Sequence, residues 1–247
     1  MVLRRLYSTA FWAFLLGTSA LLFPVAVAIW ALTAPFDRRL VVLHRFTCFW
    51  ASLYTWVNPL WPVTIEGRER IDPRTTYVMV ANHLSLLDIL VLFRLFRHFK
   101  WVSKVENFRI PFIGWNMRLN RYIQLKRGDR ESIREMMGEA ERTLRAGSSI
   151  MMFPEGTRSK TGVLQPFKTG AFELALRTGL PLLPIVIEGT SHALPKRGFV
   201  LRGRHPIRIT ILDAISSERF AGLDAKELTA QTRAVFAEFL DHSAASP

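Results

Sequence analysis

A single cysteine, Cys48, leaves no partner for an intrachain disulfide and no thiolate set for a zinc site, which fits a reducing compartment. The six histidines are not spaced as a ligand cluster, and no acidic pair has a partner at metal-binding spacing. No metal centre is expected, and EDTA should leave activity unchanged. Acidic residues are also few: 20 against 33 lysines and arginines gives a formal charge of +13 and a pI near 10.8. No repeat, low-complexity block or nucleic-acid motif accompanies that charge, and no stacking aromatics lie between the basic residues. The companion signal is a mean hydropathy of +0.16 with 49% hydrophobic residues. Charge and hydrophobicity together favour a membrane surface over a nucleic acid.

Charge is absent altogether from residues 6–34. A helix of that length exceeds the roughly 20 residues that cross a bilayer core, with Pro24 a point of kinking. Arg4, Arg5 and the small-x-small Ala26-Val27-Ala28 also fit a cleaved signal peptide. The apolar run continues through Ile29, Trp30 and Leu32, however, which favours a retained membrane helix over a signal peptide or a core helix. Residues 40–63 carry Trp50, Tyr54, Trp56 and Trp61 but are interrupted by His44 and Arg45, the pattern of an interfacial or re-entrant helix. Residues 1–63 are therefore expected to form a membrane-associated helical hairpin, with residues 64–247 as one α/β domain facing the cytosol, at the cytoplasmic membrane in a bacterium.

From residue 64 onward short β-rich runs alternate with helical patterns, which predicts a central mixed sheet flanked by helices. Strands are expected at residues 77–80, 100–102, 122–125, 149–153, 182–187 and 207–212, and an apolar helix at 86–96. Ile133, Met136, Met137, Ala140 and Leu144 recur at helical spacing behind an Asp129 N-cap, with Gly147 as a stop. Asp224 and Glu227 form a capping-box-like pair at the start of the last helix.

The first expected strand runs into Asn82-His83-Leu84-Ser85-Leu86-Leu87-Asp88. A hydroxyl is a poor nucleophile at neutral pH, and a histidine base held in one tautomer by a carboxylate activates it. Five positions apart on one helix, His83 and Asp88 would point about 140° apart at about 100° per residue. The pair makes chemical sense only if His83 lies before the helix and Asp88 in its first turn. Equally, Ser85 reads as an N-cap with Asp88 its partner, which would leave His83 without a role. A second motif favours chemistry: Phe153-Pro154-Glu155-Gly156-Thr157-Arg158-Ser159 also follows a strand and puts an acid, a glycine and a cation on one loop.

These two motifs resemble the H-x-x-x-x-D and F-P-E-G-T-R-S motifs of the glycerolipid acyltransferase family, most closely members that acylate 1-acylglycerol-3-phosphate, over roughly residues 67–212. Residues 183–189 look like the family's Pro-led strand block, and residues 122–127 approximate an aromatic or aliphatic pair followed by arginine. The resemblance implies that His83 is the general base and Asp88 its orienter, with direct transfer and no covalent enzyme intermediate. It implies acceptor binding by Lys104, Arg127 and Arg158, the cations meeting a phosphate, and by the loop residues Glu155, Gly156 and Thr157. Arg109, Arg118 and Lys168 are secondary candidates. An Arg plus Lys clamp suits a phosphate. Backbone amides near the start of the helix after His83 are expected to hold the oxyanion. No cofactor is implied; the donor is an acyl thioester of coenzyme A or acyl carrier protein, and the partners are lysophosphatidate and membrane lipids, not nucleic acid. The product is phosphatidic acid.

Rival readings rank lower. Another lysolipid, such as a lyso-amino-acid lipid, is the alternative acceptor. Gly189-Thr190-Ser191-His192-Ala193 approximates the nucleophile elbow of a serine hydrolase, but the second glycine is missing and Pro195 breaks the helix an elbow requires. Arg94, Arg97, Lys100, Lys196, Arg197, Arg202, Arg204 and Arg208 are scattered among elements, which argues against a basic adaptor. Residues 108–115 read as core packing before they read as an acyl tunnel.

Overall fold

Strand β2 (Val78–Ala81) is apolar at every position because both of its faces are covered. Val78 and Val80 enter one core, while Met79 and Ala81 enter the other. The protein is described by a computed structural model covering residues 2–159, 161–194 and 200–245. Around β2 stand β1 (Val63–Glu66), β3 (Phe99–Lys104), β4 (Ile123–Leu125), β5 (Ser149–Met152), β6 (Leu182–Glu188) and β7 (Ile207–Ile211). They form a seven-stranded sheet in the order β1-β7-β6-β2-β5-β3-β4. Every neighbouring pair is parallel except β6 with β7, so the sheet is mixed, as expected.

Helices α1 (Val2–Thr33), α2 (Val41–Trp56) and α3 (Leu87–Phe93) close one face. Helices α5 (Arg130–Arg145), α6 (Gly170–Thr178) and α8 (Ala225–Ala245) close the other. Two short helices, α4 (Ile113–Leu119) and α7 (Thr190–Ala193), lie in connections. The expected caps form: the Asp129 side chain accepts from the Ser132 amide at 3.1 Å, and Asp224 and Glu227 accept from each other's amides at 2.8 Å.

Three differences from the sequence reading have physical reasons. Helix α3 ends at Phe93 rather than at residue 96, because the chain turns out through Phe96 in a left-handed conformation (φ 51°). Strand β1 was not among the expected strands, its four residues carrying little pattern, whereas residues 108–115 pack on the core as expected at Phe108, which is fully buried, and at Gly114, where a Cβ would lie 2.6 Å from the Phe108 carbonyl. Finally, His44 faces the protein core, where its sequence context suggested an interface. It is fully buried, bonded to Tyr122 Oη at 2.9 Å and the Arg97 carbonyl at 3.0 Å, and burial foremost pushes its pKa well down. Helix α2 is therefore fastened to the sheet, and α1 lies over it through Tyr54, whose hydroxyl contacts both Thr18 and Ser19 at 3.1 Å.

Candidate active site

The parallel strands β2, β3, β4, β5 and β6 deliver their carboxyl ends to one edge, where ligands of open α/β sheets bind. Asn82 continues β2 with its side chain: Nδ2 donates to the Ile187 carbonyl at 2.8 Å and Oδ1 accepts from the Ile187 amide at 2.7 Å. This lock on β6 fixes the next residue, His83, in the connection before α3. Asp88 stands in the first turn of α3, so the geometry that the spacing required is the one adopted. His83 Nδ1 lies 2.8 Å from Asp88 Oδ2. The same oxygen accepts from the Leu84 amide at 2.6 Å and the Ser85 amide at 2.8 Å, while Oδ1 accepts from Thr190 Oγ1 at 2.5 Å. Asp88 is thus both cap and orienter, and it is completely buried. With Nδ1–H directed at the carboxylate, Nε2 carries the free lone pair. Phe153 stacks on the imidazole, centroids 3.9 Å apart and planes within 10°, and is itself stacked on Trp101.

The second motif is clasped onto the first. Glu155 Oε1 accepts from the His83 amide at 2.6 Å and Oε2 from the Gln165 amide at 3.0 Å, while the Ser159 amide donates to the His83 carbonyl at 2.8 Å. Both carboxylate oxygens of Glu155 are thereby held by backbone, so it organises the loop. Burial pushes its pKa up to about 7, against the lowering effect of these two amides and with a small push from Asp88. Gly156 takes a positive φ of 68°, and a Cβ there would meet the Lys168 side chain at 2.9 Å, so this lysine runs across the loop. Thr157 and Arg158 follow on the same loop, Thr157 exposed and Arg158 half-buried.

Lys104 closes β3 and Arg127 lies two residues beyond β4, which pairs with β3 in the register Lys104 to Leu125. Both therefore reach the edge that carries His83. Lys104 Nζ is 3.0 Å from Glu106, and Glu106 also faces Arg127, whose guanidinium pKa is lowered by partial burial. Arg118 is instead turned to the Phe108 carbonyl. Of the amides near the start of α3, those of Leu84 and Ser85 bond to Asp88, that of Leu87 to Ser85 Oγ at 3.3 Å, and that of His83 to Glu155.

Ser191 sits in the single-turn helix α7, which is too short for a nucleophile elbow, and its neighbour Thr190 serves Asp88. Among the scattered cations, Lys100 is buried with Nζ on the Asn120 carbonyl at 2.7 Å, Arg94 lies over Trp56, and Arg208 faces Glu66. Pro195, Lys196 and Arg197 lie outside the described residues. Sequence reasoning missed Thr190 as Asp88's fourth donor and Asn82 as a strand lock. It also missed Gln165, which has no motif signal at all.

A histidine and aspartate dyad at the carboxyl edge of an α/β sheet, clasped to a Glu-Gly-Thr-Arg loop, has the geometry with which an imidazole can accept a proton. The chain belongs to the acyltransferase family, whose profile matches residues 62–188. It is 40% identical over 186 residues to a 1-acyl-sn-glycerol-3-phosphate acyltransferase of Chlamydomonas reinhardtii, covering 74% of this chain and 55% of that protein. It is 36% identical over 209 residues to a chloroplastic 1-acyl-sn-glycerol-3-phosphate acyltransferase of Arabidopsis thaliana, covering 84% and 56%. The chain spans about half the length of the curated relatives it matches. It shares its fold with the crystal structure of PlsC, the 1-acyl-sn-glycerophosphate acyltransferase of Thermotoga maritima, at a TM-score of 0.77 and 23% identity over 99% of both chains.

Proposed function

We propose that the protein transfers a fatty acyl group from an acyl thioester to the sn-2 hydroxyl of 1-acylglycerol-3-phosphate, giving phosphatidic acid. The observation that carries the mechanism is the 2.8 Å contact between His83 Nδ1 and a fully buried Asp88, which leaves Nε2 as the base. The acceptor hydroxyl attacks the thioester carbonyl as Nε2 takes its proton. The tetrahedral intermediate then collapses, the carbon–sulfur bond breaks, and the imidazolium returns the proton to the departing thiolate of coenzyme A or acyl carrier protein. Lys104, Arg127 and Arg158 hold the acceptor phosphate, and Gly156 and Thr157 shape the loop beside it. No cofactor enters the reaction.

Membrane delivery of the acceptor falls to the first 63 residues. Helix α1 is long and apolar enough to cross a membrane by length and composition, and its outer face exposes Leu21 and Leu32. Its relatives' names support lysophosphatidate as acceptor. The deciding assay offers the purified, detergent-solubilised protein lysophosphatidate and other lysolipids, each with labelled acyl-CoA or acyl carrier protein. His83→Ala should lower turnover about 100- to 10,000-fold while the protein stays folded. Full activity in that variant would remove His83 from the mechanism, and acylation of a different lysolipid alone would change the acceptor.

A further inference from the structure

At the opposite edge of the sheet, where β2, β3 and β5 begin, is a second pocket of about 220 Å³. Arg39, Arg45, Arg74, Arg97 and His98 line it, and Asp72 is its one lining carboxylate. Six residues of extended chain separate Tyr77, on the pocket wall, from His83, so the two sites lie about 20 Å apart at about 3.3 Å per residue.

None of the four guanidinium groups forms an ion pair among the described residues. Asp72 bonds locally, Oδ1 accepting from the Arg74 amide at 2.9 Å and Oδ2 from Thr75 Oγ1 at 2.8 Å, and its single charge also faces Arg74 and Arg97 without offsetting all four guanidinium groups. Arg97 Nε and His98 Nδ1 are buried without a hydrogen-bond partner among the described residues. Arg97 Nε–H is an orphan donor, and because Ser148 Oγ, 3.0 Å from His98 Nε2, can either donate or accept, Nδ1 is free to carry a hydrogen toward an anion as well. Buried donors left unpaired are costly, and four cations sharing a wall repel one another. An anion relieves both. The surplus of positive charge registers on His98 itself, whose pKa is pushed down to about 3, first by burial and then by Lys100 and Arg39, with Arg45 adding to the effect and Asp37 opposing it.

We propose that this pocket is a second anion site that binds a phosphate group, separate from the acceptor phosphate of the catalytic edge. A tetrahedral phosphate presents several acceptor oxygens, and guanidinium groups match it with paired donors. The volume equals roughly seven waters at about 30 Å³ each, room for a phosphate with a short organic arm. The exposed side chains of Phe36 and Val42, on the chain that carries Arg39 and Arg45, place apolar surface beside the site, which suits a phosphate presented by an anionic lipid headgroup as well as a free one.

The test uses the detergent-solubilised full chain in two arms: calorimetric titration with inorganic phosphate, and flotation with phosphatidylcholine vesicles with and without phosphatidylglycerol. Arg97→Gln is the principal variant, and it should weaken phosphate or phosphatidylglycerol binding about tenfold or more. Arg74→Gln, on an exposed turn, should weaken it too, and its folding is not at issue. Binding that differs from wild type in the vesicle arm alone assigns the site to a lipid headgroup, and in the phosphate arm to a soluble phosphate. Because the catalytic edge is intact in both variants, its own phosphate binding cancels in the comparison. Equal binding by wild type and both variants in both arms overturns the proposal.

Discussion

Thr190 is the residue on which the orientation of the dyad turns without being part of it. Its hydroxyl reaches Asp88 Oδ1 from 102 positions away, across the β2–β6 pairing. Thr190→Val keeps the shape but leaves a buried carboxylate oxygen unpaired, a loss of about 1.5–3 kcal/mol for a bond to a charged group. Turnover should fall about 10- to 100-fold with little change in KM, and Thr190→Ser should restore most of it. An unchanged kcat in Thr190→Val would show that the other three donors suffice. Glu155 gives a second prediction. Its folded pKa of about 7 lies above the ordinary value of 4.5, so the folded state holds this proton more tightly than the unfolded chain does. The resulting stabilisation is complete below about pH 4.5 and is lost as pH rises through 7, amounting to about 3 kcal/mol. Denaturant titrations from pH 4.5 to 8 should show that loss in wild type, and Glu155→Gln should flatten it. The spacing of His83 and Asp88 fitted a helix cap as well as a catalytic pair, and the pair became legible only once the helical angle and the second motif at residues 153–159 were taken together. Thr190 was not legible, because no local pattern records which strand will lie beside which.

Among the elements, the turn from β6 into α7 is the tightest junction near the site. Gly189 has a φ of 84°, and a Cβ there would sit 2.0 Å from the Pro206 carbonyl oxygen, a backbone atom that cannot move aside. Gly179 also has a positive φ, 65°, but open space around it. Gly179→Ala should therefore cost only the left-handed strain of about 1–2 kcal/mol, whereas Gly189→Ala should cost clearly more and displace Thr190 from Asp88. Chemical denaturation compares the two directly, and equal costs would contradict the steric argument. Six of the seven strands and the two longer helices of the second face were readable because their side chains alternate, form short apolar runs, or recur at helical spacing; β1, only four residues long, was not. Helix α3 was overextended because nothing in Leu92, Phe93 or Leu95 announces the left-handed turn at Phe96. The burial of His44 was illegible for a different reason: it looks polar in a sequence, and only Tyr122 and the Arg97 carbonyl make it a core residue.

Taken as a whole, the molecule carries its longest helix along its side. At about 1.5 Å per residue α1 is about 48 Å long, more than the roughly 30 Å of a bilayer core. Yet it is tied to the domain along its length: Tyr7 Oη donates to Asn58 at 2.9 Å, the Leu201 amide donates to Ser8 Oγ at 2.9 Å, and Phe11 meets Trp61 edge-on. Farther on, Thr18 contacts Tyr54, and Phe23 packs on Trp115 of α4. Because α2 beneath it is fixed to the sheet, α1 cannot stand across a bilayer without drawing the α/β layer in with it. The arrangement suits a helix lying in one leaflet, its outer face in the acyl region and the basic domain against anionic headgroups. Leu21 and Leu32 are 74% and 71% exposed and lie on one side of the helix, eleven positions apart, so changing both to lysine touches the lipid face and spares the packed one. Each substitution removes about 1.5–3 kcal/mol of apolar burial. The double variant should partition into vesicles at least about 100-fold more weakly, while its thermal unfolding in detergent stays close to wild type. Undiminished sedimentation with vesicles would mean that lipid meets some other surface of the molecule. Activity on acceptor dispersed in detergent should survive the same change, because the dyad is held by β2, α3 and α7.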